Sequence, residues 1–166
     1  MRKTLDRYLA ELDQDDIYLV HGDMWHFTEF QTKRPGNVIN CGIQEPTVTN
    51  ISAGLAWCGK TVFIYGVAGM IIHRAYEQLK LNVKGWGEKN GTIIIVNAGH
   101  NNCYLDAGRG HLIDDDDKLC HALNIPLHEP VDRYSFLNLI KQCMSTGPGV
   151  NFIRLGHDDG PWKIKE

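Results

Sequence analysis

Short apolar runs alternate along the chain with longer segments in which apolar residues recur at helical spacing. The runs that predict strands lie at 17–22, 37–42, 61–66, 91–98, 125–131 and 150–156. The segments that predict helices lie at about 3–12, 46–58, 70–84, 116–123 and 133–145. This alternation is typical of βαβ units. We therefore expect an α/β fold with three layers, α/β/α, around a mostly parallel six-stranded sheet.

Two connections are longer than this fold usually needs. The strands predicted at 61–66 and 91–98 consist mainly of Val, Ile and Phe, as in strands that helices cover on both faces. The long segments at 22–36 and 99–115 each follow the carboxyl end of a strand, where open α/β sheets bind ligands. We expect both segments to border a functional crevice. The acidic run at 114–117 is interpreted as a solvated helix start.

Length and composition narrow the possible classes of function. The 166 residues contain no repeat or linker, so positions 1–166 are expected to form a single domain. A net charge of −3 offers no basic surface for nucleic acid. The five cysteines are scattered and never spaced as CxxC, which favours reduced thiols in the cytoplasm. No segment approaches the roughly 18 apolar residues of a membrane span, so no membrane partner is expected.

Glu45 stands between the strand at 37–42 and the helix predicted for 46–58. An acidic residue in the first turn of a helix interacts favourably with the positive end of the helix dipole, which explains most such glutamates. A carboxylate in an apolar crevice at the end of a strand could instead hold a proton for catalysis. The position of Glu45 by itself leaves both interpretations open.

A longer pattern of residues surrounds Glu45. It consists of G-x-x-E at 42–45, the small-residue segment at 52–54, the apolar strand at 62–65 and the sequence RAYEQ at 74–78. This pattern resembles the pyrimidine-binding domain of transketolases and, less closely, that of deoxyxylulose phosphate synthases. The resemblance covers essentially the whole chain and implies the thiamine diphosphate-binding fold, with the spacing from Glu45 to Arg74 retained.

The motif that the family uses to bind the diphosphate and its divalent metal is absent from this sequence. That motif is G-D-G followed by an asparagine, and it lies in a second domain. The Gly22-Asp23 pair of this chain is followed by Met24 instead. The resemblance therefore implies one subunit of a split enzyme, which shares thiamine diphosphate with a diphosphate-binding partner that holds Mg²⁺ or a similar ion. We expect two copies of each subunit in an α2β2 heterotetramer.

The resemblance also implies which residues contact the cofactor. Glu45 would form a hydrogen bond with N1′ of the pyrimidine ring and thereby activate the cofactor. Ala68 and Ile71 occupy the positions of the family's stacking aromatic residues, so we expect aliphatic contact there, with Tyr65 as a further neighbour of the ring. Arg74 is interpreted chiefly as a structural ion pair under the crevice, and less readily as a substrate contact.

Histidines and charged residues of the loops are the candidates for substrate contact. A lone histidine in a loop is usually a surface residue, but His100 and His111 both lie on the expected crevice side. By resemblance they are catalytic candidates, and His111 is a cofactor contact as well. The substrate-binding candidates are Arg2, Asp23, His100, Asp106 and His157. Phe27 and His157 replace a serine and an arginine that bind phosphate in the family, which favours an activated sugar over a simple sugar phosphate as acceptor.

The expected function is transfer of a two-carbon ketol or acyl unit to a sugar-type acceptor. The enzyme would be transketolase-like and active only with its partner subunit. Two alternatives stay open: the small subunit of a split 2-oxoacid decarboxylase, and a non-catalytic regulatory subunit derived from the fold. Release of CO₂ from a 2-oxoacid would identify the first, while an acid retained at position 45 argues against the second.

Overall fold

The computed structural model describes residues 1–24, 26–99 and 105–155. Its strands are β1 (Ile17–His21), β2 (Val38–Asn40), β3 (Thr61–Val67), β4 (Thr92–Ala98), β5 (Leu127–His128) and β6 (Gly149–Leu155). They form one six-stranded sheet in the order β2-β1-β3-β4-β6-β5. Every described strand pair is parallel, so the predicted α/β fold with a parallel sheet is confirmed.

Helices cover both faces of this sheet. They are α1 (Arg2–Glu11), α2 (Thr28–Lys33), α3 (Glu45–Trp57), α4 (Ala68–Arg74), α5 (Tyr76–Gln78), α6 (Asp116–Ala122) and α7 (Arg133–Ser145). Shorter 3₁₀ turns lie at Pro35–Asn37, Gly87–Lys89, Leu105–Ala107 and Arg109–His111, and a π-helical turn at Leu79–Val83. Within the described residues no helix has both the length and the apolar character needed to cross a membrane.

The core divides into two apolar clusters, one on each face of the sheet. Helices α3, α4 and α6 pack on the first cluster, which contains Val62 and Ile64 of β3. Helices α1, α2 and α7 pack on the second, which contains Phe63 and Tyr65 of the same strand. Successive side chains of a strand point to opposite faces, so a strand covered on both sides must be apolar at every position. This explains the continuous apolar runs of β3 and β4.

Two helical features differ from the sequence prediction. The continuous helix expected at 70–84 was wrong, because α4 begins at Ala68 and ends before Ala75, whose backbone is not helical (φ −115°, ψ 21°). Helix α2 lies within the expected loop at 22–36 and is too short to show a helical period. Its start is fixed by Asp6, which accepts hydrogen bonds from the backbone N–H groups of Glu29 (3.2 Å) and Phe30 (2.9 Å).

The acidic run at 114–117 is only partly solvated. Asp116, the first residue of α6, is 1% exposed and accepts a hydrogen bond from Nη1 of Arg154 on β6 at 2.8 Å. Burial raises the pKa of the Asp116 carboxyl, and the Arg154 guanidinium opposes that shift. The interpretation of the whole run as a solvated helix start was therefore wrong at this position, since the ion pair turns one carboxylate toward the sheet.

Gly91, just before β4, occupies a position with no room for a side chain. A Cβ atom added there would lie 2.4 Å from the carbonyl oxygens of both Ala56 and Lys60. Gly91→Ala is expected to lower the free energy of unfolding by about 1–3 kcal/mol, because backbone atoms must shift to accept the methyl group. Urea denaturation followed by circular dichroism measures this change. Gly36→Ala is the matched control, since no atom lies within 4 Å of its added Cβ, and equal stability of the two variants would contradict the packing argument.

Candidate active-site crevice

A crevice of about 330 Å³ opens at the carboxyl ends of the first three strands. The chain runs from β1 to β2 on one side and then to β3 on the other, so the crevice lies where the strand order reverses. Open α/β sheets bind ligands at such reversal points. The lining residues are Gly22, Asp23, Met24, Ile43, Glu45, Val48, Tyr65, Gly66, Val67, Met70, Ile71, Arg74 and His111. The two long segments at 22–36 and 99–115 thus both contribute, as expected.

The side chain of Asn40 ties together the loops that follow β1 and β2. Its Oδ1 accepts hydrogen bonds from the backbone N–H groups of Asp23 (3.0 Å) and Gly42 (2.9 Å), and its Nδ2 donates to Asp23 Oδ1 (3.3 Å). Gly42 has φ +67°, a left-handed conformation that glycine adopts without strain and that turns the chain from β2 toward α3. This loop geometry sets where α3 begins.

Glu45 is the first residue of α3 and lines the crevice. Gln44 precedes it as the N-cap, and Pro46 follows in the first turn, where the missing N–H of proline costs no helical hydrogen bond. The residue is 9% exposed. The carboxylate therefore lies both at the positive end of α3 and inside the crevice.

Arg74 provides the counter-charge of Glu45. Its Nη1 donates a hydrogen bond to Glu45 Oε1 at 2.7 Å across the crevice wall. The Glu45 side chain is 12% exposed, whereas that of Arg74 is 47% exposed. Arg74 is also the last residue of α4, where the negative end of the helix favours a cation. The structural ion pair expected for Arg74 is present, and its partner is the candidate catalytic acid.

Apolar side chains form the remaining walls near Glu45. Tyr65 is fully buried, and its ring packs edge-on against Phe27 with centroids 5.1 Å apart. Ile71 lines the crevice beside Val67. Ala68, by contrast, is fully buried in the apolar cluster beneath α4 and is not among the lining residues. Of the two aliphatic replacements for stacking residues, Ile71 is thus the one that reaches the crevice.

The other candidates divide into those at the crevice and those elsewhere. Asp23 and His111 line it, and Nδ1 of His111 is shielded from solvent and has no hydrogen-bond partner among the described residues. Arg2 lies in the first turn of α1, and Asp106 is exposed in a 3₁₀ turn; neither is among the lining residues. His100 and His157 lie outside the described residues.

Two methionines of the crevice wall were not anticipated from the sequence. Met24 follows β1 and is 41% exposed, and Met70 lies on α4. The helical spacing of Met70 and Arg74 predicts that they share one face of a helix, a signal that could have identified Met70. Ile43, which also lines the crevice, is 71% exposed. The flexible methionine side chains give the wall an adaptable apolar surface.

His21 is a further polar residue close to these walls. It ends β1, is 4% exposed, and lies with its ring centroid 5.9 Å from that of Phe27. Burial lowers the pKa of His21, the charge of His26 lowers it further, and Asp23 opposes both effects. Burial thus favours the neutral imidazole at this position.

The Glu45–Arg74 pair generates a prediction about stability. Arg74→Ala is expected to lower the free energy of unfolding by roughly 1–2 kcal/mol, because the Glu45 carboxylate is too buried for water to replace the guanidinium fully. The half-exposed guanidinium keeps the loss below that for a fully buried pair. In a Glu45→Gln background the same substitution should cost less, since a neutral amide needs no cation.

Urea denaturation of the four proteins in this double-mutant cycle measures the coupling. Arg133→Ala serves as the control, because Arg133 is an exposed arginine of α7 with no ion pair among the described residues. That control should change stability by less than about 0.5 kcal/mol. Equal losses from Arg74→Ala in both backgrounds would show that the pair does not stabilise the fold.

Comparisons with known proteins agree with this geometry. No protein-family model matches the chain. It is 37% identical over 93 residues to a subunit of the apulose-4-phosphate transketolase of Phocaeicola vulgatus, a match that covers 55% of this chain and 30% of that protein. It is 26% identical over 165 residues to a putative transketolase C-terminal section of Methanocaldococcus jannaschii, covering 96% of this chain and 51% of that protein.

A solved structure extends the comparison to the fold. The split-gene transketolase described as an inactive beta4 tetramer superposes with a TM-score of 0.74 at 25% identity, covering 93% of this chain and 50% of that one. The chain thus spans about half or less of the length of each of these proteins. In sequence and in fold, the chain is therefore similar to part of each of these transketolase proteins.

Proposed function

We propose that the chain is the pyrimidine-binding subunit of a two-component transketolase-like enzyme that depends on thiamine diphosphate. The enzyme would transfer a two-carbon ketol or acyl unit to a sugar-type acceptor. The observation that carries this proposal is the position of Glu45, a nearly buried acid in a crevice at the reversal point of the sheet. A purely structural scaffold has no need for an acid inside this crevice, whereas a cofactor that is held through a ring nitrogen needs a carboxyl group there.

The crevice residues fit the aminopyrimidine end of the cofactor. Glu45 would hold N1′ of the ring by a hydrogen bond, and Val67 and Ile71 would exclude water from its faces. Tyr65 would support the wall from behind, since its ring is fixed by Phe27. When bound, thiamine diphosphate supplies the nucleophilic carbon of its thiazolium ring. His111, which has an unpartnered ring nitrogen at the crevice, is available to donate or accept a hydrogen bond there.

The diphosphate and metal would be held by a partner subunit. Among the described residues there is no group of three His, Cys, Asp or Glu side chains that could bind a metal ion. The two-component arrangement is supported by the names of the relatives, since one is a transketolase subunit and another a transketolase C-terminal section. The structural neighbour is described as an inactive beta4 tetramer, which is consistent with a site completed by a second kind of subunit.

Helix α3 presents a surface suited to such a partner. From Pro46 to Gly59 the sequence contains no charged residue, although charged residues make up 22% of the chain. The exposed stripe of α3 consists of Thr47, Asn50, Gly54 and Trp57. Trp57 also contacts Trp86 of the neighbouring turn, with ring centroids 5.4 Å apart. An uncharged, partly aromatic helix face that begins beside Glu45 supports docking of a partner next to the crevice.

A sugar derivative is the proposed class of acceptor. The relative from Phocaeicola vulgatus is named for a sugar phosphate, apulose 4-phosphate. In this chain Asp23 and His111 lie where they could contact hydroxyl groups of a substrate in the crevice. Arg2 and Asp106 are not among the described residues that line the crevice. They would bind substrate only if the assembled enzyme brought it into contact with them.

The proposal is tested by reconstituting the enzyme with its co-purified partner. Glu45→Gln is expected to lower ketol transfer at least about 100-fold, because the amide retains the shape of the side chain but cannot share a proton with the ring. Steady-state turnover of the complex measures this loss, and circular dichroism confirms that the variant is folded.

Glu77→Gln is the matched control, since Glu77 is an exposed acid of α5 within the same RAYEQ segment. Its turnover should remain close to that of the wild type. If Glu45→Gln were equally active, Glu45 would have no catalytic role and the scaffold interpretation would replace the proposal. Release of CO₂ from a 2-oxoacid without transfer would assign the complex to the decarboxylases instead.

A further inference from the structure

Helix α4 contacts two parts of the molecule through two different sides. Met70 and Arg74 lie on the side that lines the crevice. Gly69 and His73 lie on the adjacent side, against the segment that carries His111. Residues four apart share one side of a helix, so each pair forms a stripe along α4. The same short helix therefore borders the crevice and holds a neighbouring segment of the chain.

Gly69 leaves room for the backbone of that segment, which runs from 108 to 116. A Cβ atom added at Gly69 would lie 2.7 Å from the carbonyl oxygen of Leu112 and 3.9 Å from Cγ1 of Ile113. The shorter of these distances is too small for a Cβ atom, so one of the two backbones would have to move. Because alanine favours a helix more than glycine does, the close approach of Leu112 is the physical reason for a glycine at this position.

The residues that follow this contact are held firmly. Ile113 is 7% exposed and belongs to the apolar cluster beneath α4. Asp115 is held by His73 of α4, with 2.6 Å between Oδ1 and Nε2. Asp116 is held in turn by the sheet, through its bond with an arginine of β6. A displacement of the carbonyl group that faces Gly69 is therefore expected to pass to the residues before it.

His111 directly precedes Leu112 and is the last residue of the 3₁₀ turn at Arg109–His111. Its ring lines the crevice, and its Nδ1 is shielded from solvent. Gly108, just before the turn, has φ +119°, and a Cβ atom added to it would meet no described atom within 4 Å. The turn thus has space to move when Leu112 moves.

We propose that Gly69 is a positioning residue that sets the place of His111 in the crevice. This inference rests on the proposed function, in which His111 forms a hydrogen bond there. The methyl group of an alanine at position 69 would push the Leu112 carbonyl group away from α4, and the imidazole of the preceding residue would move with it. Gly69 acts through His111 and does not touch the ligand.

The placement is tested in the full chain by nuclear magnetic resonance of isotope-labelled histidine rings. Comparison with His111→Gln assigns the His111 signals. We expect Gly69→Ala to shift these signals, because Nδ1, which is shielded in the wild type, would become accessible to water.

Gly91→Ala is the matched control for this measurement. Its added methyl group also meets backbone carbonyl oxygens, but it does so just before β4, at the amino ends of the parallel strands. That variant should lose stability and keep the His111 signals of the wild type. Unshifted His111 signals in Gly69→Ala would overturn the inference.

The link to the reaction is tested in the reconstituted complex. Gly69→Ala is expected to lower kcat roughly 10- to 100-fold, because misplacing a contacting group by a small distance has effects of this size. In a His111→Gln background the same substitution should change kcat less than about twofold, since the displaced group is then absent. Gly91→Ala should retain the kcat of the wild type.

The outcomes separate this inference from the proposed function. Equal losses from Gly69→Ala in both backgrounds would show a role in stability alone, and an unchanged kcat would show no role. Either result overturns the inference and leaves the proposed function intact. A wild-type complex that neither binds thiamine diphosphate nor transfers a ketol unit refutes the proposed function instead. The histidine signals of the full chain would then still decide whether Gly69 places His111.

Discussion

The ion pair between Glu45 and Arg74 is the interaction on which the crevice depends. It joins the first residue of α3 to the last residue of α4 at 2.7 Å, so it connects the two helices that form opposite sides of the opening. It also makes the burial of an acid possible, because a carboxylate removed from water needs a compensating partner. Each charge also lies at the helix end that stabilises it. The Glu45 anion is at the amino end of α3, and the Arg74 cation is at the carboxyl end of α4.

The parallel sheet explains why these two helix ends meet. All described strands run in one direction, so every connection from a strand to the next helix lies at the same edge. The reversal of strand order between β1 and β3 leaves a space at that edge, and the start of α3 and the helix α4 both border it. Asn40 and Gly42 then determine how the chain leaves β2 and where α3 begins. The site is therefore a consequence of topology, completed by a few side chains in the loops.

In the proposed function, the chain forms one side of a larger site. Its crevice has an acid, an arginine and apolar walls, which suit the recognition of a flat heterocycle through one edge and its faces. The uncharged face of α3 begins beside this crevice and continues to Trp57, which places a surface suited to a partner directly next to the proposed chemistry. The proteins that the chain is similar to include a transketolase subunit and a split-gene transketolase.

The sequence by itself determined the class of fold and the identity of the central acid. The continuous apolar runs of β3 and β4 could only be strands covered on both faces, and helices α3 and α7 followed from their helical spacing. The motif from Gly42 to Gln78 indicated the family and singled out Glu45. These features are local, since they depend on residues that are close together in the chain.

Tertiary structure decided the remaining features. The burial of Asp116 against Arg154, for example, joins two residues that are far apart in the sequence. The same holds for Arg74, the partner of Glu45, because the rest of α3, the strand β3 and most of α4 lie between the two residues. Hydrophobic periodicity reports which side of an element is covered, but it does not report which residue of another element lies opposite. Which residues pair is decided only in the folded chain. There the sheet brings the strand ends together and places opposite charges of different elements within contact distance.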